Sequence, residues 1–497
     1  MNNGKICIAI SANTASEMLE AAHRAEAEAD IIELRFDSLR PDEVHLAEVM
    51  IREASLLRPT ILTYRSPEQG GPPGLTREDR IAFWSRADIG EWARDLEEDI
   101  LADARKGATI VSFHDFPGTA DIEQVIDRMS KSDADILKIA ATAHDICDAL
   151  PVWSMLRQTP PNGAQSIPIA MGTAGKWTRI LGLAHGAFLT YASPESGSET
   201  ADGQITAADL INIYRVKDLN RETRVYGVIG DPVSSSLSTY MHNPAFSQAR
   251  LNAVFIPLQV KDLDQFMRRI VLPATREVEL NFAGFSVTMP HKQAVQKYLT
   301  QIDPIAQKIG AVNTIHIEGD QLTGYNTDAP GFIAPLKQHF PDIKGSNVAI
   351  LGAGGAARAV IHALQQEQAN ITLFARNLKN AQALADDFNV RVEELSSARI
   401  KHDILVNATP LGMRGPNKDL IPVSTDQIQG AKFIYDLVTR PDETPLLREA
   451  KKAGIPAIGG LEMLIAQGMR QFEIWTGSQP PADIMRDALF NHLRRDP

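Results

Sequence analysis

The sequence predicts an α/β protein: a parallel (β/α)₈ barrel followed by a two-domain α/β module with a dinucleotide-binding fold. Three observations lead to this prediction. Short apolar segments alternate with helical patterns from residue 5 to about residue 216, the alternation restarts near residue 225, and a glycine-rich turn follows the apolar run that begins near residue 347. At 497 residues, the chain is also too long for one ordinary core.

Composition and charge narrow the class of protein. Hydrophobic residues make up 44% and charged residues 23% of the chain, as in folded globular proteins. The net charge of −12 argues against nucleic acid as the main partner. No apolar run approaches the ~20 residues that cross a bilayer, so no membrane partner is expected.

The first residues look like a strand rather than a signal peptide, and Cys7 and Cys147 form no disulfide framework. We therefore expect a cytoplasmic protein. The twelve histidines form no ligand cluster and there is no HExxH motif, so no metal is expected. No feature of the sequence indicates an oligomeric state.

Eight strands are expected in the barrel, which we place at residues 1–218. Seven strong segments are KICIAIS, DIIELRF, PTILTYRS, ATIVSFHDF, ADILKIA, SIPIAMG and FLTYAS. A weaker strand is expected near ARDLEED, between the third and fourth of these. The polar segment VKDLNRETR lacks an apolar period, so a linker is predicted at residues 219–224.

Several of these strands carry polar residues on one face. Side chains two residues apart share a face, which groups Glu33 with Arg35 and Ser112 with His114. Lys138 shares its face with Ala140. Because the apolar face must meet the helices, we expect the polar groups to point into the barrel near the C-terminal strand ends, where barrel enzymes hold their active sites.

Lys138 is the strongest candidate among them. A lysine that is surrounded by apolar residues and other cations has a lowered pKa, so its neutral amine can attack a ketone and form a Schiff base. Pairing with a carboxylate, or extension to solvent from a strand end, is the alternative. His114 is then a candidate for proton transfer, and Arg35, Arg65 and Arg179 are either surface charges or a carboxylate clamp.

Taken in order, the segments IIELRFD, TYRSPEQGG, SFHDF, ILKIA and MGTAGKWTRILG resemble the type I 3-dehydroquinate dehydratases. The resemblance implies that Lys138 forms an imine with the C3 ketone of 3-dehydroquinate. It implies that His114 removes a C2 proton and assists departure of the C1 hydroxyl as water. Substrate-binding roles are implied for Glu33, Arg35, Arg65, Arg179, Thr200 and Gln204. Bacterial relatives usually carry a glutamate where this chain has Gln69, which can bond to His114 but cannot tune it by charge.

The segment VAILGAGGAARAV predicts a strand, a glycine-rich turn and a helix. Such a turn lets the backbone approach a pyrophosphate at the helix N-terminus, and its candidate residues are Gly352, Ala353, Gly354, Gly355 and Ala356. The next strand ends in Ala375, Arg376 and Asn377, without the acid that usually holds a ribose in NAD-binding versions. A cation there suits the 2′-phosphate, so NADP is the expected cofactor. We place this domain at residues 331–466.

Four upstream motifs are GDPVSSSLSTYMHN, GFSVTMPHK, GAVNTI and GYNTDAPG. Each could be an ordinary loop or helix cap, but together they offer hydroxyls, amides, one cation and one acid, which suits a polyhydroxylated carboxylate. With NATPLGM and GGLEMLIAQG, they resemble the shikimate dehydrogenases across residues 225–497. We place the substrate-binding domain at residues 225–330, completed by residues 467–497.

This second resemblance implies specific roles. Ser236 and Ser238 bind the substrate carboxylate, Lys292 and Asp328 serve proton transfer, and the residues that hold ring hydroxyls are Thr288, Asn313, Asp328 and Gln467. Thr409 joins Arg376 and Asn377 at the cofactor. Ser286, Thr239 and Thr439 depart from the family pattern, for which we predict weaker positioning without loss of the chemistry.

The leading hypothesis is one chain with two consecutive activities, which resembles the fused enzymes of plants and some bacteria. The first dehydrates 3-dehydroquinate to 3-dehydroshikimate, and the second reduces that product to shikimate with NADPH. One alternative is a second half that acts as a quinate dehydrogenase with NAD. The other is a metabolite-binding regulator without catalytic activity.

Overall fold

The computed structural model describes residues 2–54, 56–86, 92–104, 109–158, 160, 163–395 and 402–495. The chain divides into two compact units. The first comprises Met1–Gly227, Asp231–Ser236 and Asn252–Phe282, and the second comprises Val228–Gly230, Leu237–Leu251 and Ala283–Pro497. The predicted domain boundaries at residues 218, 224, 330 and 466 stay a prediction.

Eight parallel strands form a nearly closed barrel in the first unit, as predicted. They are β1 (Ile6–Ile10), β2 (Ile31–Arg35), β3 (Thr60–Thr63), β4 (Ala93–Glu97), β5 (Thr109–Asp115), β6 (Ile136–Thr142), β7 (Gln165–Met171) and β8 (Thr190–Ala192). The order in the sheet is β7-β6-β5-β4-β3-β2-β1-β8. The weak strand predicted at ARDLEED is present as β4.

Helices follow the barrel strands. They are α1 (Ala15–Ala25), α2 (Val44–Glu53), α3 (Arg77–Arg86), α4 (Leu101–Ala104), α5 (Ile122–Met129), α6 (Leu150–Trp153), α7 (Lys176–His185) and α8 (Ala207–Asn212). Thr14 shows how the sequence starts such a helix, because its side chain accepts from Glu17 N in a capping box.

The predicted alternation of strand faces is confirmed. On β6, Leu137 and Ile139 belong to the apolar cluster that includes Val125 and Ile126 of α5. Ile136 and Ala140 belong to a different cluster, with Ile110 on β5. Lys138 has the parity of Ile136 and Ala140, so it points into the barrel.

A six-stranded sheet follows the barrel in the chain. Its strands are β9 (Arg224–Gly230), β10 (Ala253–Gln259), β11 (Phe282–Val287), β12 (Gln301–Ile302), β13 (Thr314–Glu318) and β14 (Gln321–Tyr325). Their order is β10-β9-β11-β13-β14-β12, and β13 pairs antiparallel with both β11 and β14. The associated helices are α9 (Ser238–Gln248), α10 (Leu263–Phe266) and α11 (Pro304–Ile309).

The third sheet is parallel and has the strand order of a dinucleotide-binding fold. Its strands are β15 (Asn347–Leu351), β16 (Asn370–Ala375), β17 (Arg391–Glu394), β18 (Ile404–Asn407), β19 (Phe433–Asp436) and β20 (Ala457–Ile458). They run in the order β17-β16-β15-β18-β19-β20. The first strand of the fold, β15, therefore lies in the middle of the sheet. Its carboxyl end leads into the glycine-rich turn that precedes the next helix.

Helices complete the second unit. They are α12 (Asp328–His339), α13 (Gly355–Gln366), α14 (Leu378–Phe388), α15 (Thr425–Ile428), α16 (Pro445–Lys452), α17 (Gly460–Thr476) and α18 (Ala482–Arg495). In the part of the chain that the structure describes, no helix combines the length and apolar character needed to span a membrane.

Candidate active sites

A pocket opens at the carboxyl ends of the barrel strands. It brings together all eight site residues that the sequence predicted in the barrel, namely Glu33, Arg35, Arg65, His114, Lys138, Arg179, Thr200 and Gln204. Gln69 and Tyr191 also line it. The strands supply Lys138, His114 and Arg35, and Arg65 follows two residues after β3, so a rigid scaffold fixes their positions.

Lys138 lies at the bottom of this pocket, on β6. Its Nζ forms an ion pair with Asp95 Oδ2 at 2.8 Å, lies 3.5 Å from Glu33 Oε1 and donates to Tyr191 OH at 3.0 Å. Two surroundings were considered for this amine, apolar residues with other cations, or a carboxylate partner. Cations are present, but the carboxylate alternative is the one observed, because Asp95 points inward from β4 and Glu33 from β2.

Asp95 is shared by two cations. Arg65 NH2 lies 2.9 Å from the same Oδ2 that Lys138 contacts. Burial alone raises the pKa of the Asp95 carboxyl, but Arg65 and Lys138 together bring it well below its ordinary value. Asp95 is therefore an anion that holds both cations in place.

The chain of charges continues away from the lysine. Arg65 NH1 contacts Glu97 Oε1 at 3.4 Å, and Arg80 NH1 donates to Glu97 Oε2 at 2.7 Å. Arg80 also pairs with Asp99, whose side chain is 44% exposed. An alternating series of charges therefore runs from the interior of the barrel to its surface.

His114 sits beside these cations at the end of β5. Its backbone N–H donates to Gln69 Oε1 at 2.6 Å, and its Nδ1 lies 3.3 Å from the same oxygen. Arg65 NH1 also lies 3.4 Å from Nδ1, so the role of Nδ1 depends on the tautomer; in the tautomer that donates from Nδ1 to Gln69, Nε2 is the free base. Burial, then Arg65 and Lys138, lower the pKa of His114 well below its ordinary value. The ring is therefore neutral, as a general base must be.

The pocket arginines differ in how they are satisfied. Arg35 forms two hydrogen bonds to the Asp37 carboxylate, at 3.0 and 2.7 Å. Arg179 is only 2% exposed, and its Nε and NH1 have no hydrogen-bond partner among the described residues. Burial lowers the pKa of Arg179 to about 10. A buried guanidinium without an acceptor is a site for an anionic group of a ligand.

The segment that follows β8 closes one side of the pocket. Gln204 and Thr200 bind each other: Thr200 N donates to Gln204 Oε1 at 2.8 Å and Gln204 Nε2 donates to Thr200 Oγ1 at 2.9 Å. Gly203 has a φ of 75°, and an added Cβ would lie 2.3 Å from Gly172 O. Only glycine allows this close approach, which places the loop against the barrel rim.

A second pocket lies at the glycine-rich turn after β15. Its lining includes Ala353, Gly354 and Gly355 from the turn, and Lys292 and Gln293 from the segment after β11. Gly352 has a φ of 99°, and an added Cβ there would lie 2.7 Å from Thr409 Cγ2. Gly354 and Gly355 are exposed at the start of α13, and an added Cβ at Gly354 would meet nothing within 4 Å. The backbone N–H groups of this turn are open to an anion.

Lys292 reaches from this pocket to an aspartate. Its Nζ lies 2.6 Å from Asp328 Oδ2, and Asp328 Oδ1 accepts from Asn313 Nδ2 at 2.7 Å. Asp328 opens α12, where its backbone N–H donates to Asn326 Oδ1. Gln467 joins the group because its Oε1 accepts from Thr327 Oγ1 at 3.4 Å. The structure thus brings together four of the predicted residues as one hydrogen-bonded group.

The remaining predicted residues take the following places. Ser238 is buried at the start of α9, Ser236 is half-buried just before it, and Thr288 is half-buried directly after β11. Arg376 and Asn377 are exposed after β16. The common site of these five residues with Lys292 and Asp328 stays a prediction.

Several functional residues were missed by the sequence analysis. Asp95 and Glu97 carry the charge of the barrel site, and the period-2 alternation of ARDLEED would have placed both inward. Tyr191 and Asn326 were missed as well, since a tyrosine in a strand and an asparagine in a loop carry no specific signal. In the part of the chain that the structure describes, no group of three or more His, Cys, Asp or Glu could hold a metal ion.

Comparison with known proteins agrees with this division of chemistry. Residues 6–221 match the family of type I 3-dehydroquinase, and residues 228–315 match the substrate binding domain of shikimate dehydrogenase. Residues 335–421 match shikimate / quinate 5-dehydrogenase, and residues 460–490 match the C-terminal domain of shikimate 5'-dehydrogenase. The bifunctional 3-dehydroquinate dehydratase/shikimate dehydrogenase of Arabidopsis thaliana, a chloroplastic protein, is 31% identical over 97% of this chain and 84% of its own length.

The chain belongs to the bifunctional 3-dehydroquinate dehydratase/shikimate dehydrogenase family. Its dehydrogenase half has further relatives. The shikimate dehydrogenase (NADP(+)) of Methanocaldococcus jannaschii is 39% identical over 56% of this chain and 100% of its own length. A crystal structure of shikimate dehydrogenase in complex with NADP+ is 40% identical, covers 55% of this chain and 97% of its own, and has a TM-score of 0.52. The bifunctional family therefore accounts for both pockets.

Proposed function

We propose that this chain catalyses two consecutive reactions, dehydration of 3-dehydroquinate in the barrel and NADPH-dependent reduction of 3-dehydroshikimate in the second half. The product of the first reaction is the substrate of the second. Each pocket holds the groups that its reaction needs: a buried lysine with a neutral histidine in the first, and a lysine–aspartate pair beside a glycine-rich turn in the second.

In the barrel, the Lys138 amine attacks the C3 ketone, and loss of one water gives an imine. His114 Nε2 then takes a proton from C2, for which the imine serves as the electron sink, and returns it to the departing C1 hydroxyl, which leaves as a second water. Hydrolysis of the imine releases 3-dehydroshikimate and restores the amine. Asp95 stabilises the charge on the lysine nitrogen through the cycle because it lies 2.8 Å away.

The substrate is held by the pocket's cations and its loop. Arg179 lines the pocket, and its guanidinium binds the substrate carboxylate. Arg65 and Glu33 hold ring hydroxyls. Arg35 also binds the ring, and its two hydrogen bonds to the Asp37 carboxylate fix its guanidinium in place. Thr200 and Gln204 exchange their mutual hydrogen bonds for bonds to the bound ring, which closes the loop over it.

In the second half, the residues around Lys292 bind and protonate the reacting oxygen. Asn313, Asp328 and Gln467 hold ring hydroxyls, while Ser236, Ser238 and Thr288 complete the substrate site. Lys292 Nζ donates a proton to the alkoxide that develops at C3, and Asp328, 2.6 Å from that nitrogen, keeps the ammonium oriented. NADPH, when bound, supplies the hydride.

The residues present fit NADP. Gly354 and Gly355 present open backbone at the N-terminus of α13, which suits the pyrophosphate, with Gly352, Ala353 and Ala356 shaping the turn. Arg376 and Asn377 stand exposed where an acid would hold an NAD ribose, and a guanidinium there attracts the 2′-phosphate. Thr409 faces the turn from the opposite loop, within contact of Gly352.

The observation that carries the proposal is the buried Lys138 beside a neutral His114 and the unsatisfied Arg179, in one pocket. The test feeds 3-dehydroquinate and NADPH to the chain and follows shikimate. A parallel sample is treated with borohydride and digested, and we expect the ligand mass on the peptide that carries Lys138. Shikimate without a trapped adduct would contradict the imine, and an adduct without shikimate would contradict the second activity.

Quinate with NAD is the second candidate for the dehydrogenase half. Turnover is compared for shikimate with NADP and quinate with NAD, in the natural chain and in R376A. We expect R376A to raise KM for NADP about tenfold or more while leaving KM for NAD nearly unchanged, since one charge-assisted contact is lost. Higher kcat/KM for quinate with NAD in the natural chain would favour the alternative.

Other expectations remain proposals of the same kind. The proposed domains assign each reaction to its own part of the chain. They are a barrel at residues 1–218, a linker at 219–224, a substrate domain at 225–330 with 467–497, and a cofactor domain at 331–466. A cytoplasmic location is supported by two buried free cysteines, Cys7 and Cys147. The net charge of −12 argues against a nucleic-acid partner. Cell fractionation with an antibody to the chain tests the location.

A further inference from the structure

Helix α17 presents two glutamines, one turn apart, to the dehydrogenase site. Gln467 has a predicted role, whereas Gln471 has none. Because residues four apart lie on the same face of a helix, both side chains point to the same interior region. Gln471 is 1% exposed, so its amide must be satisfied by protein groups.

The Gln471 amide is bound at both ends. Its Oε1 accepts from Ser286 Oγ at 2.9 Å and lies 3.3 Å from His242 Nε2. Its Nε2 donates to Thr314 Oγ1 at 3.0 Å and lies 3.4 Å from Asn313 O. Burial lowers the pKa of His242 to about 3, although Gln471 opposes this, so the ring is neutral and can donate through Nε2. These partners fix the orientation of the amide.

Thr314 carries this orientation onward to the site. Since its hydroxyl accepts from Gln471 Nε2, its own proton is directed to Asn313 Oδ1, 2.9 Å away. Asn313 Oδ1 also accepts from Thr327 N at 2.7 Å, and with these two donors on Oδ1 the Asn313 Nδ2 is aimed at Asp328 Oδ1, at 2.7 Å. A directed series of hydrogen bonds therefore runs from Gln471 through Thr314 and Asn313 to the carboxylate that holds Lys292.

We propose that Gln471 is a positioning residue for the reduction. It sets the direction of the Thr314 hydroxyl and thereby orients the Asn313 amide that holds Asp328. The inference rests on the proposed roles of Asn313 and Asp328. It also assigns a function to Ser286, whose departure from the family pattern predicted weaker positioning: its hydroxyl binds the opposite end of the same amide.

The first test replaces the amide by an apolar side chain of similar size, Q471M. We expect kcat for 3-dehydroshikimate reduction to fall about 10- to 100-fold, because the reacting groups lose their fixed geometry. We expect KM for NADPH to stay within about twofold, since the cofactor turn is not touched. R470A is the matched control, because Arg470 is the preceding residue and its exposed side chain pairs with Glu473. Dehydratase activity of the same chain reports that the barrel is intact.

The second test removes the Thr314 hydroxyl, which connects Gln471 to Asn313, and leaves Gln471 itself in place. T314V deletes the hydroxyl, and T314S keeps it. We expect T314V to lose kcat to the same extent as Q471M, T314S to retain most of it, and the double variant Q471M/T314V to be no slower than the slower single variant. If Q471M does not fold, the pair T314V and T314S decides alone.

Each outcome has a distinct meaning. Unchanged kcat in Q471M or T314V with only a lower unfolding temperature would overturn the positioning role, as would additive losses in the double variant. D328N separates this inference from the proposed function. If the natural chain does not reduce 3-dehydroshikimate, the proposed function fails; if D328N keeps full reductase activity, the role of Asp328 and the inference built on it fail; if D328N is inactive while T314V is fully active, only the role of Gln471 fails.

Discussion

Each of the two sites joins one lysine to one aspartate, but the two pairs lie in different surroundings. Lys138 Nζ and Asp95 Oδ2 are 2.8 Å apart, with side chains 4% and 0% exposed. Lys292 Nζ and Asp328 Oδ2 are 2.6 Å apart, with side chains 18% and 9% exposed. The first pair is almost completely buried at the base of the barrel pocket, whereas the second keeps contact with solvent.

The surroundings follow from that difference. A buried ion needs an oppositely charged partner nearby, since an unpaired buried charge costs several kcal/mol. Asp95 is accordingly shared between Lys138 and Arg65, and further charges follow. The Lys292 pair is bordered instead by a neutral amide, Asn313, which orients the carboxylate without adding charge. The barrel thus suits a covalent intermediate, while the second site suits exchange of a proton.

The largest expected effect tests whether the two sites are separate. K138A removes the nucleophile and should lower dehydration at least about 10³-fold, because no other group replaces a covalent catalyst. Reduction of added 3-dehydroshikimate should remain unchanged. K131A is the control, since the Lys131 side chain is 69% exposed and pairs with Asp127 on the barrel surface. Loss of both activities in K138A would contradict separate sites.

Stability provides the next contrast. D95N leaves two buried cations without their shared charge and should lower the free energy of unfolding by about 3–5 kcal/mol. D328N removes the charge of a pair that solvent reaches, with an expected cost of about 1 kcal/mol. Urea unfolding followed by far-UV circular dichroism measures both. Equal losses would show that burial does not distinguish the pairs.

Replacement of Lys292 is expected to lower the rate of the second reaction. K292M removes the proton donor while keeping the apolar part of the side chain, and should lower kcat for reduction about 10²-fold or more. Hydride still comes from NADPH, so a residual rate with water as donor is expected. Dehydration by the same sample is the control. A solvent deuterium isotope effect that is unchanged in K292M would contradict its role in proton transfer.

The regular parts of the fold were predictable because their signal is local. Alternating apolar residues predicted all eight barrel strands, and the turn at Gly352 predicted the cofactor fold. The hairpin of β13 and β14 was not predicted, although Gly319 and Asp320 between two alternating segments are a turn signal. The two-residue β12 has no local signal, since it exists only through pairing with β14.

The sequence predicted which residues form the two sites, but it did not predict how their charges are paired. Lys138, His114, Lys292 and Asp328 have sequence neighbours that mark them. The sharing of Asp95 by Lys138 and Arg65 depends on three strands that meet only in the closed barrel. The reciprocal bonds of Thr200 and Gln204 likewise depend on a loop conformation that Gly203 and Gly172 allow. Such contacts follow from tertiary structure and leave no periodic pattern.

The smallest expected effect concerns Gln69, which borders His114 with an uncharged oxygen. Since burial, Arg65 and Lys138 keep the pKa of His114 well below its ordinary value, the base stays neutral in mildly acidic solution. The dehydratase kcat/KM should therefore hold its plateau below pH ~6. Q69E keeps the acceptor for His114 N–H but adds a negative charge near Nδ1, which favours the imidazolium and raises this pKa.

Because the neutral fraction falls below the pKa, a raised pKa moves the acid limb of the profile toward higher pH, by about one pH unit. On the acid limb the Q69E variant should be slower than the natural chain at the same pH, while both reach similar rates near pH ~8. The pH profile of the reductase activity of the same sample should not move, because Gln69 belongs to the barrel site alone. An acid limb that stays in place, or moves to lower pH, would show that charge at this position does not act on His114.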